Sequence, residues 1–329
     1  MRYESKCPGP RRKLLSEMNS SPLISVILPA GHDSPYIFQA IDSCLSQSYK
    51  NLELILVDDG LTVEARSRIS EYLKKDGRIK FLRHESDRKL PGALNTGFEI
   101  AKGDYLTWTS DDNYYLSSAL EEMAGVLNTR PEIAIVYAGC KVINEQGREI
   151  LSVPVLPPEK LSLLNCVGAC FLYRREVHEK NGGYAPRWFG AEDYDFWLRA
   201  SLMFRFLPLE KYLYVYRTHQ NSLSHRLRGR PLSLLKQKVL EETLPKMKWV
   251  PPETRAEALL CLAGMGRKNR CPSRPAHREL LRFLIRHPGM LLRRKPWPTL
   301  SFLLGRRPAA LLRLFSKHSG LIRHAKCRH

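Results

Sequence analysis

At 329 residues, the chain is long enough for one large domain with an appendage or for two modest domains, and its 43% hydrophobic and 26% charged residues are typical of a globular protein. Its eight cysteines are scattered singly without a CxxC pair, which argues against a zinc site or a disulfide framework and indicates a reduced, cytosolic protein. No stretch contains the roughly 18 uncharged apolar residues that span a bilayer, and no apolar run follows basic residues 11–13 as in a signal peptide.

The positive charge of the chain is confined to its last third. The sequence carries 53 basic and 33 acidic residues, a net charge of +20. Residues 1–225 hold 28 of each sign, whereas residues 226–329 hold the remaining 25 basic and 5 acidic residues. A neutral body joined to a strongly basic tail predicts two functional units.

The first part of the chain predicts alternating strands and helices. Residues 1–21 are polar, basic and aperiodic, and we expect them to form a mobile arm. Strands are then predicted over 23–28, 52–57, 79–82 and 105–109, and helices over 34–48, 63–74, 93–101 and 116–127. Continuous apolar strands separated by helices are typical of a parallel sheet covered on both faces, which binds ligands beyond the carboxyl ends of its strands.

The pattern changes twice in the remainder of the chain. Mixed strands are predicted over 133–137, 141–143, 167–173 and 213–217, with a helix over 191–202. After His225 the chain is predicted to be helical and basic, with proline-rich joints. We therefore predict an α/β domain over 22–225, with a doubly wound and mostly parallel sheet, followed by a basic helical region over 226–329.

Paired aspartates follow two of the predicted strands. Asp58 and Asp59 precede Gly60 at the end of the second strand, and Asp111 and Asp112 follow the fourth. Each pair alone could be a turn or a helix N-cap. Because both pairs fall at strand ends of one predicted sheet, we expect them to share a site, in which a cation would relieve their mutual repulsion. Hard oxygen ligands at such a position favour Mg²⁺ or Mn²⁺ bridging to phosphate oxygens.

Five segments of the chain form an ordered set of motifs. They are the opening strand Ile24-Ser25-Val26-Ile27-Leu28-Pro29, the stretch 47–60, the segment from Leu94-Asn95-Thr96-Gly97 to Tyr105, the acidic motif Gly190-Ala191-Glu192-Asp193-Tyr194-Asp195, and Tyr216-Arg217-Thr218-His219 with Ser222 and Ser224. In this order they resemble family 2 glycosyltransferases, and the resemblance covers roughly residues 22–225. It implies a GT-A-type fold and inverting transfer of a sugar from a nucleotide sugar.

The resemblance implies a donor site at the strand ends. Pro29 and Ala30 would form the wall beside the nucleotide base, and Asp58 or Asp59 would hold the base or the ribose. In the family, a basic residue often precedes the residue that aligns with Asn95. This chain has Leu94 there, and Lys89 would supply the positive charge at the diphosphate instead. The remaining donor-binding residues expected from the resemblance are Lys89, Asn95 and Asp111.

The resemblance also implies a metal and a catalytic base. Asp112 aligns with the last acid of the DxD motif and would ligate Mn²⁺ or Mg²⁺ on the diphosphate, and His219 would approach the metal or the diphosphate. Asp193 would be the general base for the acceptor hydroxyl, with Glu192 beside it. Ser110 replaces the first acid of the motif, so one carboxylate, phosphates and water would complete the metal site. Inverting transfer needs both a carboxylate opposite the leaving group and positive charge on the departing diphosphate.

Some other residues have a structural explanation at least as good as a functional one. Trp197 falls on the apolar face of the helix predicted over 191–202, so we expect it in the core rather than stacked on a sugar. Cys170 is expected to be a small buried residue and not a nucleophile. Tyr114 and Tyr115 could contact the acceptor or pack beneath the following helix.

The basic tail mixes leucine and phenylalanine with arginine and lysine, in the runs 280–286, 291–297, 303–308 and 309–317. Helices with cations on one face and apolar side chains on the other lie in a membrane interface, and we expect the tail to bind an anionic membrane surface. Packing on the body of the protein remains the alternative. Nucleic acid is a less favoured partner, since the tail has no RNA-binding motif and its apolar residues are mostly aliphatic.

The sequence thus predicts an inverting glycosyltransferase that moves a sugar, most simply from a UDP sugar, to a saccharide or lipid-linked acceptor. We expect it in the cytoplasm, peripheral at the inner face of the membrane. A nucleotidyltransferase is an alternative, but it would usually carry a glycine-rich basic loop after the first strand, where this chain has Gly31 and His32. A glycosyltransferase-like binding protein without activity is a second alternative, because Ser110 departs from the DxD motif.

Overall fold

The computed structural model describes residues 21–286, apart from residues 228 and 272. The arm predicted over 1–21 lies outside the described residues except for Ser21, and so do the tail runs beyond residue 286. The chain divides into two compact units. We call residues 21–158 with 165–226 the sheet unit, and residues 159–164 with 227–286 the helical unit.

The sheet unit contains one mixed sheet of nine strands within its described residues, in the order β3-β2-β1-β4-β8-β6-β9-β5, with β7 paired to β6. The strands are β1 Ile24–Ala30, β2 Leu52–Asp58, β3 Ile79–Arg83, β4 Tyr105–Trp108, β5 Tyr114–Tyr115, β6 Ile135–Ile143, β7 Glu149–Val153, β8 Phe171–Arg174 and β9 Phe206–Arg217. Its helices are α1 Ile37–Leu45, α2 Val63–Lys75, α3 Lys89–Ile100, α4 Ala119–Thr129, α5 Arg175–Asn181, α6 Glu192–Ala200 and α7 Leu223–Arg226.

The first four predicted strands form the parallel half of the sheet. Every residue of β1 and β2 is buried, as expected for strands covered by helices on both faces. Helix α3 packs closely on this half at Gly97, where a Cβ would come within 2.4 Å of the Ile27 side chain. In the register of the sheet, Ala30 pairs with Asp58 and Ile27 pairs with Trp108. The loops that follow β1, β2 and β4 therefore leave the sheet at the same edge.

The second half of the sheet is mixed in direction. Strand β8 is antiparallel to both β4 and β6, whereas β6 and β9 are parallel. The strands predicted over 133–137 and 141–143 are one continuous strand, and the strand predicted over 213–217 is the end of the longer β9. Strands β5 and β7 were not predicted, because β5 has two residues and β7 is largely exposed and carries no buried apolar run.

An aromatic cluster fills the space between the mixed half of the sheet and helix α6. Trp197 is fully buried and makes an edge contact with Phe171, with ring centroids 4.7 Å apart. Tyr184 stacks on Phe196 at 4.5 Å. Cys170 is also fully buried, and burial raises the pKa of its thiol. Trp197 and Cys170 are thus core residues, as the sequence predicted.

The helical unit is formed by three longer helices, α8 Arg230–Thr243, α9 Pro252–Lys268 and α10 Arg274–Arg286. Its described core is apolar but contains a row of buried, hydrogen-bonded polar groups. Gln237 donates to the carbonyl of Cys271 at 2.9 Å and accepts from Asn269 at 2.8 Å. No helix in the described part of the chain is both long and apolar enough to cross a membrane.

Candidate active site

A cavity of about 270 Å³ opens in the sheet unit at the carboxyl ends of β1, β2 and β4. We call it the strand-end cavity. The described residues that line it come from the end of β1, the loops after β1, β2, β3 and β4, the start of α3, the segment before α6 and the segment around α7: Pro29, Gly31, His32, Asp59, Asp87, Lys89, Leu90, Ala93, Ser110, Asp111, Asp112, Phe189, Ser222, Leu223 and Arg226. The two aspartate pairs predicted to share a site therefore both contribute to one cavity.

The first aspartate pair divides into one structural and one cavity-facing residue. Asp58 accepts from the amides of Gly60 and Leu61, at 3.1 and 2.8 Å, and pairs with Arg66 at 3.2 Å, so its side chain holds the turn after β2. Gly60 has a φ of +148°, and a Cβ there would come within 2.8 Å of the Gly31 carbonyl oxygen. Asp59 instead lines the cavity.

Asp59 is held from two sides. Its Oδ1 accepts from the amide of Arg88 at 2.8 Å and lies 2.7 Å from Nδ1 of His84. The other ring nitrogen of His84 lies 3.0 Å from the hydroxyl oxygen of Thr96 on α3. The Asp59 amide also donates to the carbonyl of Ala30 at 2.8 Å. A buried carboxylate fixed in this way can accept hydrogen bonds from a ligand without first losing side-chain freedom.

In the second aspartate pair, Asp111 is buried and Asp112 is partly buried, and both are incompletely paired. Asp112 Oδ2 lies 2.9 Å from Nε2 of His219, while Asp112 Oδ1 and Asp111 Oδ2 are buried without a hydrogen-bond partner. Burial, and secondly the charge of Asp112, raise the pKa of Asp111 well above its ordinary value. Buried carboxylate oxygens without a partner are costly, so this pair is suited to accept a cation or a hydrogen-bond donor from a ligand.

A buried arginine fastens the second pair to strand β9. Arg217 lies in direct contact with the loop after β4, since its amide donates to the side chain of Asn113 at 2.7 Å and its Nε donates to the Asp112 carbonyl at 3.3 Å. Its guanidinium group also donates to Gln39 at 2.7 Å and lies 4.0 Å from the ring centroid of Tyr36. Arg217 therefore holds the loop on which Asp112 approaches His219.

The cationic side of the cavity comes from Lys89 and Arg226. Lys89 forms an ion pair with Asp87 and begins α3 with a φ of +62°, a left-handed conformation that is unusual for a residue with a side chain. Arg226 ends the short helix α7. Burial, and secondly the charge of Arg226, lower the pKa of His32, which lines the same cavity.

Three of the predicted donor-binding residues, Ala30, Asp58 and Asn95, are not part of this lining. Asn95 exchanges two hydrogen bonds with the backbone of Tyr184, donating to its carbonyl at 2.8 Å and accepting from its amide at 2.9 Å. Ala30 is fully buried and contributes its carbonyl to the Asp59 amide. Pro29, next to Ala30, does line the cavity.

The acidic motif lies at the start of helix α6, and its two carboxylates have different surroundings. Glu192 is buried and accepts from the amide of Gly190, and burial, with the neighbouring Asp193 charge second, raises its pKa to about 8. Asp193 is half-buried and accepts from the side chain of Asn165 at 2.8 Å. Neither carboxylate is among the described residues lining the strand-end cavity, although Phe189, just before the motif, is.

The capacity of the site for a metal ion depends on Asp112 and His219. Among the described residues, no three His, Cys, Asp or Glu side chains are grouped so as to hold a metal without other ligands. Asp112 offers an unpartnered Oδ1. Mg²⁺ often binds through one or two carboxylates, with phosphate and water oxygens as its other ligands. The residues present therefore fit a divalent cation that arrives with a phosphate-bearing ligand.

Sequence reasoning missed several residues of the site. His84 and Asn165 position the two aspartates Asp59 and Asp193, from 25 and 28 residues away in the chain. No sequence signal marks a partner at such distances. Arg226 could have been noticed as a cation two residues after Ser224, the end of the closing segment of the family resemblance.

Comparison with known proteins finds a family match that lies mostly in the sheet unit. Residues 25–182 match the family model described as "Glycosyl transferase family 2". The chain is 31% identical over 189 residues to an uncharacterized glycosyltransferase of Rickettsia felis, which covers 54% of this chain and 31% of the relative. It spans less than two thirds of this relative and of seven further curated relatives, for which the aligned share runs from 15% to 63%.

Solved structures share the fold. The crystal structure of S. aureus TarS 1–349 in complex with UDP has a TM-score of 0.55 at 18% identity, covering 74% of this chain and 70% of that chain. A mannosyltransferase from Pyrobaculum calidifontis, in complex with GDP-Man and Mn²⁺, has a TM-score of 0.52 at 18% identity, covering 92% and 89%. These likenesses confirm the predicted α/β fold of GT-A type.

Proposed function

Because residues 25–182 belong to glycosyl transferase family 2, as the resemblance predicted, we propose that this protein transfers a sugar from a nucleotide sugar to an acceptor hydroxyl group. One observation carries the proposal: a single cavity receives Asp59 from the end of β2, Asp111 and Asp112 from the end of β4, and Arg226 from the segment around α7. Hydrogen-bond acceptors for a nucleoside and charged groups for a diphosphate therefore line the same cavity.

The donor is a nucleotide sugar, for which a UDP sugar is our first candidate. Asp59 supplies a fixed carboxylate for the hydroxyl and N–H donors of a nucleoside, and Pro29 supplies the wall beside the base. TarS has been crystallised with UDP and the P. calidifontis mannosyltransferase with GDP-Man. The two neighbours support a nucleotide donor and leave the choice of base to experiment.

The diphosphate leaving group requires positive charge. Lys89 and Arg226 line the cavity and supply part of it. Asp112 and His219 would hold Mn²⁺ or Mg²⁺, with Asp111 beside them, and a bound cation would stabilise the negative charge that develops on the diphosphate. The structure of the P. calidifontis neighbour with Mn²⁺ supports this part of the proposal.

Asp193 is the proposed general base of an inverting transfer. The elevated pKa of Glu192 keeps that carboxyl largely protonated near neutral pH, so it is a poor acceptor for the proton of the acceptor hydroxyl. Asp193 is more exposed, and Asn165 holds one of its oxygens in place. Glu192 in this scheme shapes the start of α6 beside the base.

For the whole protein, we propose a saccharide or lipid-linked acceptor at the cytoplasmic face of a membrane, with peripheral attachment to anionic lipid. The support is the charge of residues 226–329, which contain 25 basic and 5 acidic residues. Nucleic acid is not a proposed partner.

An assay of nucleoside diphosphate release tests the proposal, because the release should depend on the carboxylate of Asp112. With a nucleotide sugar and Mn²⁺ but no added acceptor, the wild-type protein should transfer the sugar to water and release nucleoside diphosphate, and EDTA should abolish the release. Asp112→Ala should reduce both donor affinity and turnover, by about 100-fold or more in kcat/KM. The exposed carboxylate Glu99 on α3 is the matched control, and Glu99→Ala should behave as wild type.

The same experiment separates the alternatives. Release that survives exhaustive chelation would contradict the metal role and leave Lys89 and Arg226 as the groups that neutralise the diphosphate. Binding of a nucleotide sugar without any release or transfer would favour a binding protein without activity. Release of pyrophosphate from a nucleoside triphosphate would favour a nucleotidyltransferase.

A further inference from the structure

A second cavity, of about 430 Å³, lies within the helical unit. It opens among the segment before α9, the start of α9 and the last two turns of α10. We call it the basic cavity, because the charged residues among its described lining are Lys248, Arg255, Arg282 and Arg286 together with a single acid, Glu279.

The single acid is already neutralised. Arg255 pairs with Glu279 at 2.6 Å and donates to the carbonyl of Met247 at 3.0 Å. In the part of the chain that the structure describes, no carboxylate forms an ion pair with Lys248, Arg282 or Arg286. Three cations around one cavity repel one another, and an anion within the cavity would relieve that repulsion. Two arginines in particular suit phosphate oxygens, because each guanidinium group can donate two parallel hydrogen bonds.

Exposed apolar residues are adjacent in sequence to three of these cations. On α10, Leu281 and Ile285 are 45% and 59% exposed, one helical turn apart, and each directly precedes an arginine that lines the cavity. Trp249 follows Lys248 in sequence and is 40% exposed. Exposed leucine, isoleucine and tryptophan side chains next to arginine and lysine are the composition of helices that lie in a membrane interface.

We infer that the basic cavity binds the phosphate group of an anionic glycerophospholipid, while Leu281, Ile285 and Trp249 contact the acyl boundary. A soluble phosphate ester would satisfy the cations but would leave these three apolar side chains in water, so a lipid is the better match. The inference gives the proposed membrane attachment a defined site. It rests on that attachment and not on the proposed sugar transfer.

The test compares two charge-matched variants of the full-length protein. Arg282→Gln/Arg286→Gln removes two cations from the basic cavity. Lys238→Gln/Arg278→Gln removes two exposed cations of α8 and α10 that are not among the described residues of the cavity lining. Co-sedimentation is measured with vesicles of phosphatidylcholine alone and of phosphatidylcholine mixed with phosphatidylglycerol, with a control lacking lipid. Thermal unfolding verifies that both variants fold.

The wild-type protein should bind the mixed vesicles, more weakly as salt rises, and should bind phosphatidylcholine vesicles poorly. The cavity variant should lose about tenfold or more in partitioning, whereas the control variant should lose less than about threefold. Arg282→Lys/Arg286→Lys should retain part of the binding, because lysine keeps the positive charge but lacks the planar guanidinium group that donates two parallel hydrogen bonds.

Three results would overturn the inference. Equal losses in the two variants would mean that net charge alone attracts the protein, and the attachment would then stand without a defined site. Competition by millimolar glycerol 3-phosphate would identify a soluble phosphate as the occupant. Failure of the wild-type protein to bind either vesicle would remove both the attachment and the site, while release of nucleoside diphosphate would still report separately on the transferase.

Discussion

Two adjacent carboxylates at the start of helix α6 have opposite character. Glu192 is buried with its pKa raised to about 8, and Asp193 is half-buried beside Asn165. If Asp193 is the base, Asp193→Asn should lower kcat by about 1,000-fold or more while leaving donor affinity nearly unchanged, because the amide cannot accept the hydroxyl proton. Transfer kinetics and donor titration measure the two effects, and near wild-type turnover would rule out the assignment.

Asn165 is predicted to hold the Asp193 carboxylate in position. Asn165→Ala should reduce kcat by a smaller factor than Asp193→Asn, because the carboxylate remains but is no longer held by the 2.8 Å hydrogen bond. An Asn165→Ala enzyme with full activity would show that the hydrogen bond does not orient the base.

Burial of Glu192 predicts a pH dependence of stability. The pKa of this carboxyl rises from 4.5 to about 8 on folding, so the unfolded state releases its proton first as the pH rises. From this group alone, the free energy of unfolding should fall by up to about 1.4 kcal/mol per pH unit across the pH window between these two pKa values and level off above it. Below the window the carboxyl is neutral in both states and this contribution to stability is fully present.

Glu192→Gln tests this pH dependence, because glutamine is neutral at every pH. In urea unfolding from about pH 5 to about pH 9, the stability of the variant relative to wild type should rise through the window. Glu99→Gln, at an exposed position on α3, should show no such trend. A constant difference between Glu192→Gln and wild type would contradict the raised pKa.

At the scale of elements, Arg217 joins the end of β9 to the loop after β4 and to α1. Arg217→Met should lower the free energy of unfolding by about 1–3 kcal/mol, since it removes hydrogen bonds to the Asp112 carbonyl and to Gln39 within a buried network. It should also weaken donor binding, because the Asp112 loop loses its support. Arg148→Met, at an exposed arginine, is the control. Normal stability in Arg217→Met would show that the loop is held by other contacts.

The sequence predicted the parallel half of the sheet well, because β1 and β2 are buried on both faces and therefore consist of continuous apolar runs. The sequence could not show that Asp59 and not Asp58 faces the cavity, because the direction of each side chain depends on the path of the backbone at the turn. It missed β5 and β7 because a two-residue strand and an exposed edge strand leave almost no hydrophobic pattern.

For the whole molecule, the charge distribution was readable from composition, but the basic cavity was not. The residues that line it are spread over about 40 positions in sequence, from Pro245 to Arg286, and only the packing of α9 and α10 brings their side chains together. The aspartates of the strand-end cavity, in contrast, follow predicted strands, and the rule that ligands bind at the carboxyl ends of parallel strands was sufficient to bring them together.

The central claim is that the strand-end cavity binds a nucleotide sugar, and ligand-dependent unfolding of the full-length protein tests it most directly. In a panel of UDP and GDP sugars with Mn²⁺, one donor at about 100 times its Kd should add about 2.7 kcal/mol to stability and raise the unfolding temperature by several degrees. Asp59→Asn, which keeps the shape of the side chain, should abolish most of that increase. No increase with any nucleotide sugar, or an equal increase in Asp59→Asn, would contradict the account.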